Sequence, residues 1–239
     1  MTRARLAYDA WHRGQEADPD GEGPWHRMLE PFLGDLGARR VLEVACGRGG
    51  FALRLATQTG DRRPAEVIGV DFSDVAIERA RATALERRAP NLSYRVGDAT
   101  ALEWPDRSFD AVISCETIEH VDDPPRAVRE FGRVLRPGGR LYLTCPSYAN
   151  LMGLYRLYLP LTGRRFTEGG QPVSHCLVAP RVWRWVAAAG LLIERRAGSG
   201  HYVPFPRRSP IRVRALDRFE LLSRYCALHT LVVARRMRG

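Results

Sequence analysis

The chain contains no lysine. Its 37 basic side chains are all arginine, set against 27 acidic ones, for a net charge of +10. A basic balance of this size admits an anionic partner such as nucleic acid, a phosphorylated substrate or an acidic membrane. The arginines are spread along the chain, however. The densest stretch, PFPRRSPIRVRALDR at 204–218, reads as a solvated face as readily as an RNA track. No RNA-binding module is recognisable, which argues against nucleic acid. Five scattered cysteines, odd in number and without a CxxC pair, exclude a disulfide framework and a structural zinc site. No run approaches the ~18 consecutive apolar residues of a membrane span. The opening MTRARLAYDAWHR lacks the apolar centre of a secretory signal, so a cytoplasmic protein is expected.

What is present suits an α/β protein. The hydrophobic share is 45%, ordinary for a globular chain, and 239 residues suffice for a full core. A single domain over 1–239 is expected: a helical cap at 1–40, a ligand-binding core at 41–145, a lid insertion at 146–179, and a helix with strands at 180–239. LAYDAWHRGQ and PWHRMLEPFLGDL read as two short helices around the acidic loop EADPDGEG. From residue 41 strands and helices alternate: RVLEVAC, a helix over 49–58, EVIGVDF, SDVAIERARATALERR, LSYRVGD, FDAVISCE, DPPRAVREFGRVL and RLYLTCP. Ser73 or Asp74 is a candidate N-cap, and RPGG a helix stop. RVWRWVAAAG, LLIERRAG and ALHTLVVARR add a helix and two strands. This order predicts a Rossmann-like, mostly parallel seven-stranded sheet with helices on both faces.

VLEVACGRGG, residues 41–50, is a short apolar strand running into a glycine-rich turn ahead of a helix, which lets a ligand approach the backbone closely. GRGGFA satisfies the GxGxxG/A pattern of dinucleotide sites, and Asp71 ends the next strand. Glu43 weighs against a pyrophosphate, which it would repel, and against a nicotinamide-linked oxidoreductase or nucleotide-binding module. A carboxylate there suits a ligand bearing an ammonium group. S-adenosylmethionine (SAM) has an amino group, a sulfonium and a ribose whose hydroxyls Asp71 can accept from.

The chain resembles the class I SAM-dependent methyltransferases. The likeness rests on VLEVACGRGG, VIGVDFS, YRVGDATALEWPDRSFDAVIS and VLRPGGRLYLT, in the family's order, over 41 to about 145. Ala45 departs from the family's usual glycine. The resemblance implies that Glu43 meets the methionine amino group. The backbone of Ala45, Cys46, Gly47 and Gly49 lines the methionine and ribose. Asp71 holds the ribose, Phe72 packs on the adenine, Asp98 and the Ala99 backbone meet the adenine, and Ser114 and Cys115 close the methionine end.

CETIEHVDDP follows the fourth strand. On a helical turn, Glu116, Glu119 and His120 would share one face and could ligate a divalent metal. Acids near a helix start are also favoured by the dipole alone, and His120 alone could be a general base. The chain is similar to the ubiquinone-pathway O-methyltransferases, where this ExxEH motif and a later histidine accompany divalent-metal dependence; His175 is the candidate fourth ligand. Mg²⁺, Mn²⁺ and Zn²⁺ are all admitted. The expected activity is methyl transfer to a small-molecule acceptor at oxygen, with a metal-independent C- or N-methyltransferase or an RNA 2′-O-methyltransferase as rivals. Tyr8, Trp11, His12, Trp25, His26 and the insert SYANLMGLYRLYLPLTGRRF are candidate substrate walls, suiting an aromatic, sugar-like or anionic acceptor. The apolar insert could also touch a membrane surface.

Overall fold

Alternate residues of a strand face opposite sides of a sheet, so a sheet covered on both sides must carry apolar residues at both parities. The computed structural model describes residues 3–15, 23–164, 166, 170–205 and 208–238, and most of the acidic loop (16–22) lies outside them. In chain order they form α1 (Arg3–Arg13), α2 (Pro24–Leu29), β1 (Arg40–Val44), α3 (Gly50–Ala56), β2 (Glu66–Asp71), α4 (Asp74–Glu86), β3 (Leu92–Val96), β4 (Phe109–Cys115), α5 (Pro124–Val134) and β5 (Leu135–Pro146). Then come α6 (Leu151–Tyr158), α7 (Ala179–Ala188), β6 (Leu191–Ser199), β7 (Tyr202–Phe205), β8 (Arg208–Arg212), α8 (Glu220–Cys226) and β9 (His229–Arg236). Seven strands make one sheet in the order β3-β2-β1-β4-β5-β9-β6. In that sheet β9 runs antiparallel to β5 and β6, and the other four pairings are parallel.

Leu42, Val44, Ile68, Val70, Val112, Leu141, Leu143 and Val232 pack on one side against Phe131 of α5 and Val182 of α7. Val41, Val67, Ile113, Tyr142, Leu231 and Val233 pack on the other against Phe51 of α3 and Ile77 of α4. The predicted fold class is therefore the observed one. Ser73 is the N-cap of α4, its Oγ accepting from Ala76 N at 3.2 Å. Asp123 caps α5 ahead of Pro124.

Three features differ from the sequence reading. RPGG does not separate helix from strand: β5 starts at Leu135, pairs with Phe109, and slips register before Arg140 meets Ala111, with Gly138 at φ +82° supplying the bend. The insertion at 146–179 carries a helix, α6, capped by Asn150 Oδ1 accepting from Gly153 N at 3.1 Å. The arginine-rich stretch after β6 folds into the β7–β8 hairpin, followed by α8.

α1 crosses the carboxyl edge of the sheet and is tied there by polar contacts. Asp9 Oδ1 accepts from Ser73 Oγ at 2.5 Å, and Arg5 pairs with Asp74 at 2.6 Å. The Arg79 guanidinium donates to the carbonyls of His12, Arg13 and Gln15 at 2.6–3.2 Å, satisfying acceptors that the end of α1 leaves open.

Candidate active site

The strand order reverses between β1 and β4, and open α/β sheets bind ligands outside the carboxyl ends of strands at such a reversal. β1 delivers Glu43 and the glycine turn there. β2 delivers Asp71, and β4 delivers Ser114 and Cys115.

The turn is tight and left-handed. Gly47 and Gly49 have φ of +53° and +82°. A side chain at Gly49 would collide with the Tyr94 hydroxyl, which donates to Gly49 O at 2.5 Å and braces the turn. Ala45 also adopts φ +57°, which explains why glycine is usual there: its methyl costs on the order of 1 kcal/mol in this conformation. Cys46, buried, donates its backbone N–H to Val70 O at 3.0 Å.

Two carboxyl groups sit beneath the turn. Glu43 is 4% exposed, and its Oε2 has no hydrogen-bond partner. Burial pushes its carboxyl up to about 8, with Asp71 adding a like charge nearby. Asp71, also buried, is pushed up to about 6 by the same desolvation. Its Oδ2 accepts from Gly47 N and its Oδ1 from Ser73 N, both at 2.9 Å, so it braces the turn from inside. Ser114 is fully buried, and its Oγ is likewise unpartnered. Further along the edge, Phe72 packs edge-on against Tyr8 of α1 at 5.0 Å. Asp98 is exposed, with Oδ1 accepting from Thr100 N and Oγ1, while Ala99 is buried beside it.

The ExxEH segment is not a helix face. Glu116 takes φ +49°, a left-handed turn. Residues 117–120 then close a separate turn, His120 N donating to Thr117 O at 2.8 Å, with Ile118 fully buried in the core. Glu116 Oε2 lies 3.3 Å from His229 Nδ1 at the start of β9, and its Oε1 is buried without a partner. Glu119, 1% exposed, lies 3.6 Å from His120 Nε2. His120 Nδ1 donates to Val173 O at 2.5 Å. His175 Nε2 donates to Val121 O at 2.9 Å. Glu116, Glu119, His120 and His175 are thus neighbours along one edge but not a ligand set, and among the described residues no three His, Cys, Asp or Glu side chains are arranged to hold a metal ion.

The imidazole of His120 is well defined. A carbonyl only accepts, so the proton sits on Nδ1 and Nε2 is the basic nitrogen, turned toward the Glu119 carboxylate. Burial holds the pKa below the ordinary histidine value, so the ring is neutral at physiological pH. Tyr8 stands edge-on to it, 6.4 Å between ring centres, and shares the Val173 carbonyl through its hydroxyl at 3.3 Å.

Two residues escaped the sequence reading. His229, partner of Glu116, is 113 residues away in the chain and carries no local signal. Asp9, buried on α1 beside the expected wall residues Tyr8 and His12, ties that helix to Ser73.

Comparisons with known proteins agree with this geometry. Residues 42–143 match a family described as "Methyltransferase domain". The chain is 30% identical over 211 residues to the 27-O-demethylrifamycin SV methyltransferase of Amycolatopsis mediterranei, covering 85% of this chain and 71% of that one. It is 39% identical over 133 residues to a ubiquinone biosynthesis O-methyltransferase of Alkalilimnicola ehrlichii, covering 52% and 51%. Among solved structures, a chain from the complex of the Haloferax volcanii Trm112 methyltransferase activator superposes with a TM-score of 0.70 at 20% identity over 100% of both chains. The YcgJ protein of Bacillus subtilis superposes at 0.61, with 21% identity over 90% and 98%. The chain belongs to the class I SAM-dependent methyltransferases.

Proposed function

We propose that this methyltransferase acts on a hydroxyl oxygen of a small-molecule acceptor, with His120 taking the hydroxyl proton. The observation that carries the reading is the His120 imidazole: neutral, fixed by Val173 O in the tautomer with a basic Nε2, and set beside a buried carboxylate that stabilises the imidazolium once formed. The names of the Amycolatopsis and Alkalilimnicola relatives, which specify demethylrifamycin and an O-methyl transfer in ubiquinone biosynthesis, point the same way.

The cofactor edge fits SAM by its donor set. Glu43 Oε2, buried and unpartnered, suits an ammonium group, and Ser114 Oγ, equally orphaned, offers a further polar contact at the methionine end. Asp71, with two lone-pair sites beyond those given to Gly47 and Ser73, accepts ribose hydroxyls. The backbone of Ala45, Cys46, Gly47 and Gly49 lies alongside, Phe72 and the Ala99 backbone flank the adenine, Asp98 Oδ2 accepts from its amino group, and Cys115 closes the methionine end. SAM supplies an electrophilic methyl on a sulfonium centre when bound. The chain's own work is to hold the acceptor hydroxyl against His120 Nε2, receive its proton there, and keep water out with α1 and the 146–179 insertion. No step is routed through a metal: among the described residues no three His, Cys, Asp or Glu side chains are arranged to hold one.

The direct test is a product screen. Labelled SAM is incubated with the chain and pools of hydroxylated small molecules, and products are identified by mass spectrometry and NMR. A new methoxy group supports the reading. A methyl on carbon or nitrogen, or label transferred to RNA alone, contradicts it.

A further inference from the structure

We infer that His12, on the N-terminal helix, is a cofactor-binding residue: its imidazole Nδ1–H donates to the methionyl carboxylate of SAM. This removes His12 from the acceptor wall and rests on the crevice taking SAM.

His12 is 5% exposed, and its Nδ1 is buried without a hydrogen-bond partner. A buried polar nitrogen left in this state has lost its bonds to water, so a ligand that supplies a partner recovers that loss. The ring lies beside the glycine turn: a Cβ at Gly47 would sit 3.8 Å from its Cε1, in ordinary van der Waals contact. It is fixed there from three sides. Arg79 holds the His12 carbonyl, Asp9 pins α1 to Ser73, and Trp11 packs edge-on against the imidazole at 4.8 Å.

Charge selects which part of the ligand meets it. On the floor of the crevice Asp71 suits the ribose hydroxyls, and the Glu43 carboxyl, which gives up its proton against a bound cation, suits the ammonium. The Arg48 and Arg79 guanidiniums stand near His12, and together with burial they keep its ring neutral, against the opposing influence of Asp9. Only the carboxylate of SAM is an anion, and the cationic side of the crevice is where it is favoured. A neutral imidazole donor there adds a charge-assisted hydrogen bond without adding repulsion to the sulfonium.

The test is isothermal titration of the full chain with two probes: S-adenosylhomocysteine, which carries the carboxylate, and 5′-methylthioadenosine, which keeps the adenosine but lacks the amino-acid portion. His12→Phe preserves the ring packing and removes the donor. The expected result is about tenfold weaker binding of S-adenosylhomocysteine, with methylthioadenosine unchanged within twofold; His12→Asn, which restores a donor near Nδ1, recovers most of the loss. Unchanged S-adenosylhomocysteine affinity in His12→Phe overturns the inference. Equal weakening of both probes also overturns it, because it reports displacement of α1. Failure of the unmodified chain to bind S-adenosylhomocysteine contradicts the underlying cofactor reading instead. Should His12→Phe not fold, the ¹⁵N resonance of His12 Nδ1 in the unmodified chain decides: it moves with S-adenosylhomocysteine and not with methylthioadenosine, and a resonance indifferent to both refutes the contact.

Discussion

Replacing Glu43 with glutamine should stabilise the ligand-free protein while damaging its cofactor site. The Glu43 carboxyl is 4% exposed and pushed from 4.5 to about 8 by desolvation. Below pH 4.5 it is protonated in the folded and unfolded chains alike and costs nothing. As pH rises the unfolded chain ionises first, so stability falls until the folded carboxyl also ionises near pH 8. A shift of this size corresponds to about 4 kcal/mol lost by pH 8. Glutamine abolishes that titration but leaves an amide to satisfy, at about 1–2 kcal/mol. The net gain at pH 8 is about 2 kcal/mol, or a Tm roughly 5 °C higher for a chain of this length. At pH 4.5 the titration contributes almost nothing, and the variant should be about 1–2 kcal/mol less stable. Affinity for S-adenosylhomocysteine should fall roughly 30-fold, because an ionised acceptor for the ammonium is gone. Thermal denaturation across pH 4.5–8.5 and calorimetric titration check both halves. A glutamine variant that gains no stability at pH 8 relative to pH 4.5, and still binds S-adenosylhomocysteine normally, would refute the placement of a strained, ligand-seeking carboxyl at this position.

Ala45→Gly should stabilise the chain by roughly 0.5–1 kcal/mol in urea denaturation, since relief of the left-handed φ of +57° exceeds the entropy cost of a new glycine; cofactor affinity should stay within twofold. His120→Asn should lower kcat by on the order of a hundredfold or more on the acceptor found by the product screen, leaving S-adenosylhomocysteine binding intact in calorimetry.

The sheet was legible because burial on both sides imposes apolar residues at both parities of β1, β2, β4 and β5, and the turn was legible because glycine takes a φ of +50 to +80° at the least cost. The start of α5 at Asp123–Pro124, just after the ExxEH motif, was legible because an Asp cap followed by proline is a strong helix start. The φ of +49° at Glu116 had no such signal, because glutamate gives no hint of left-handed backbone. Asp71 was expected to serve only the ligand. Its bonds to Gly47 N and Ser73 N show that it also holds the turn, a pairing set by two strands meeting in space. The Glu116–His229 pair is of the same kind, made only when β9 closes beside β5.

Those Asp71 bonds shape the most direct test of the central claim, that this chain is built around SAM. Native mass spectrometry and calorimetry of the unmodified chain should find one S-adenosylhomocysteine bound per chain and no NAD. Asp71→Ala should bind it at least tenfold more weakly and should also unfold at lower temperature, because the variant loses the ribose acceptor and the brace of the turn together. Binding of NAD in place of S-adenosylhomocysteine, or an Asp71→Ala variant that binds S-adenosylhomocysteine as tightly as the unmodified chain, would contradict the account.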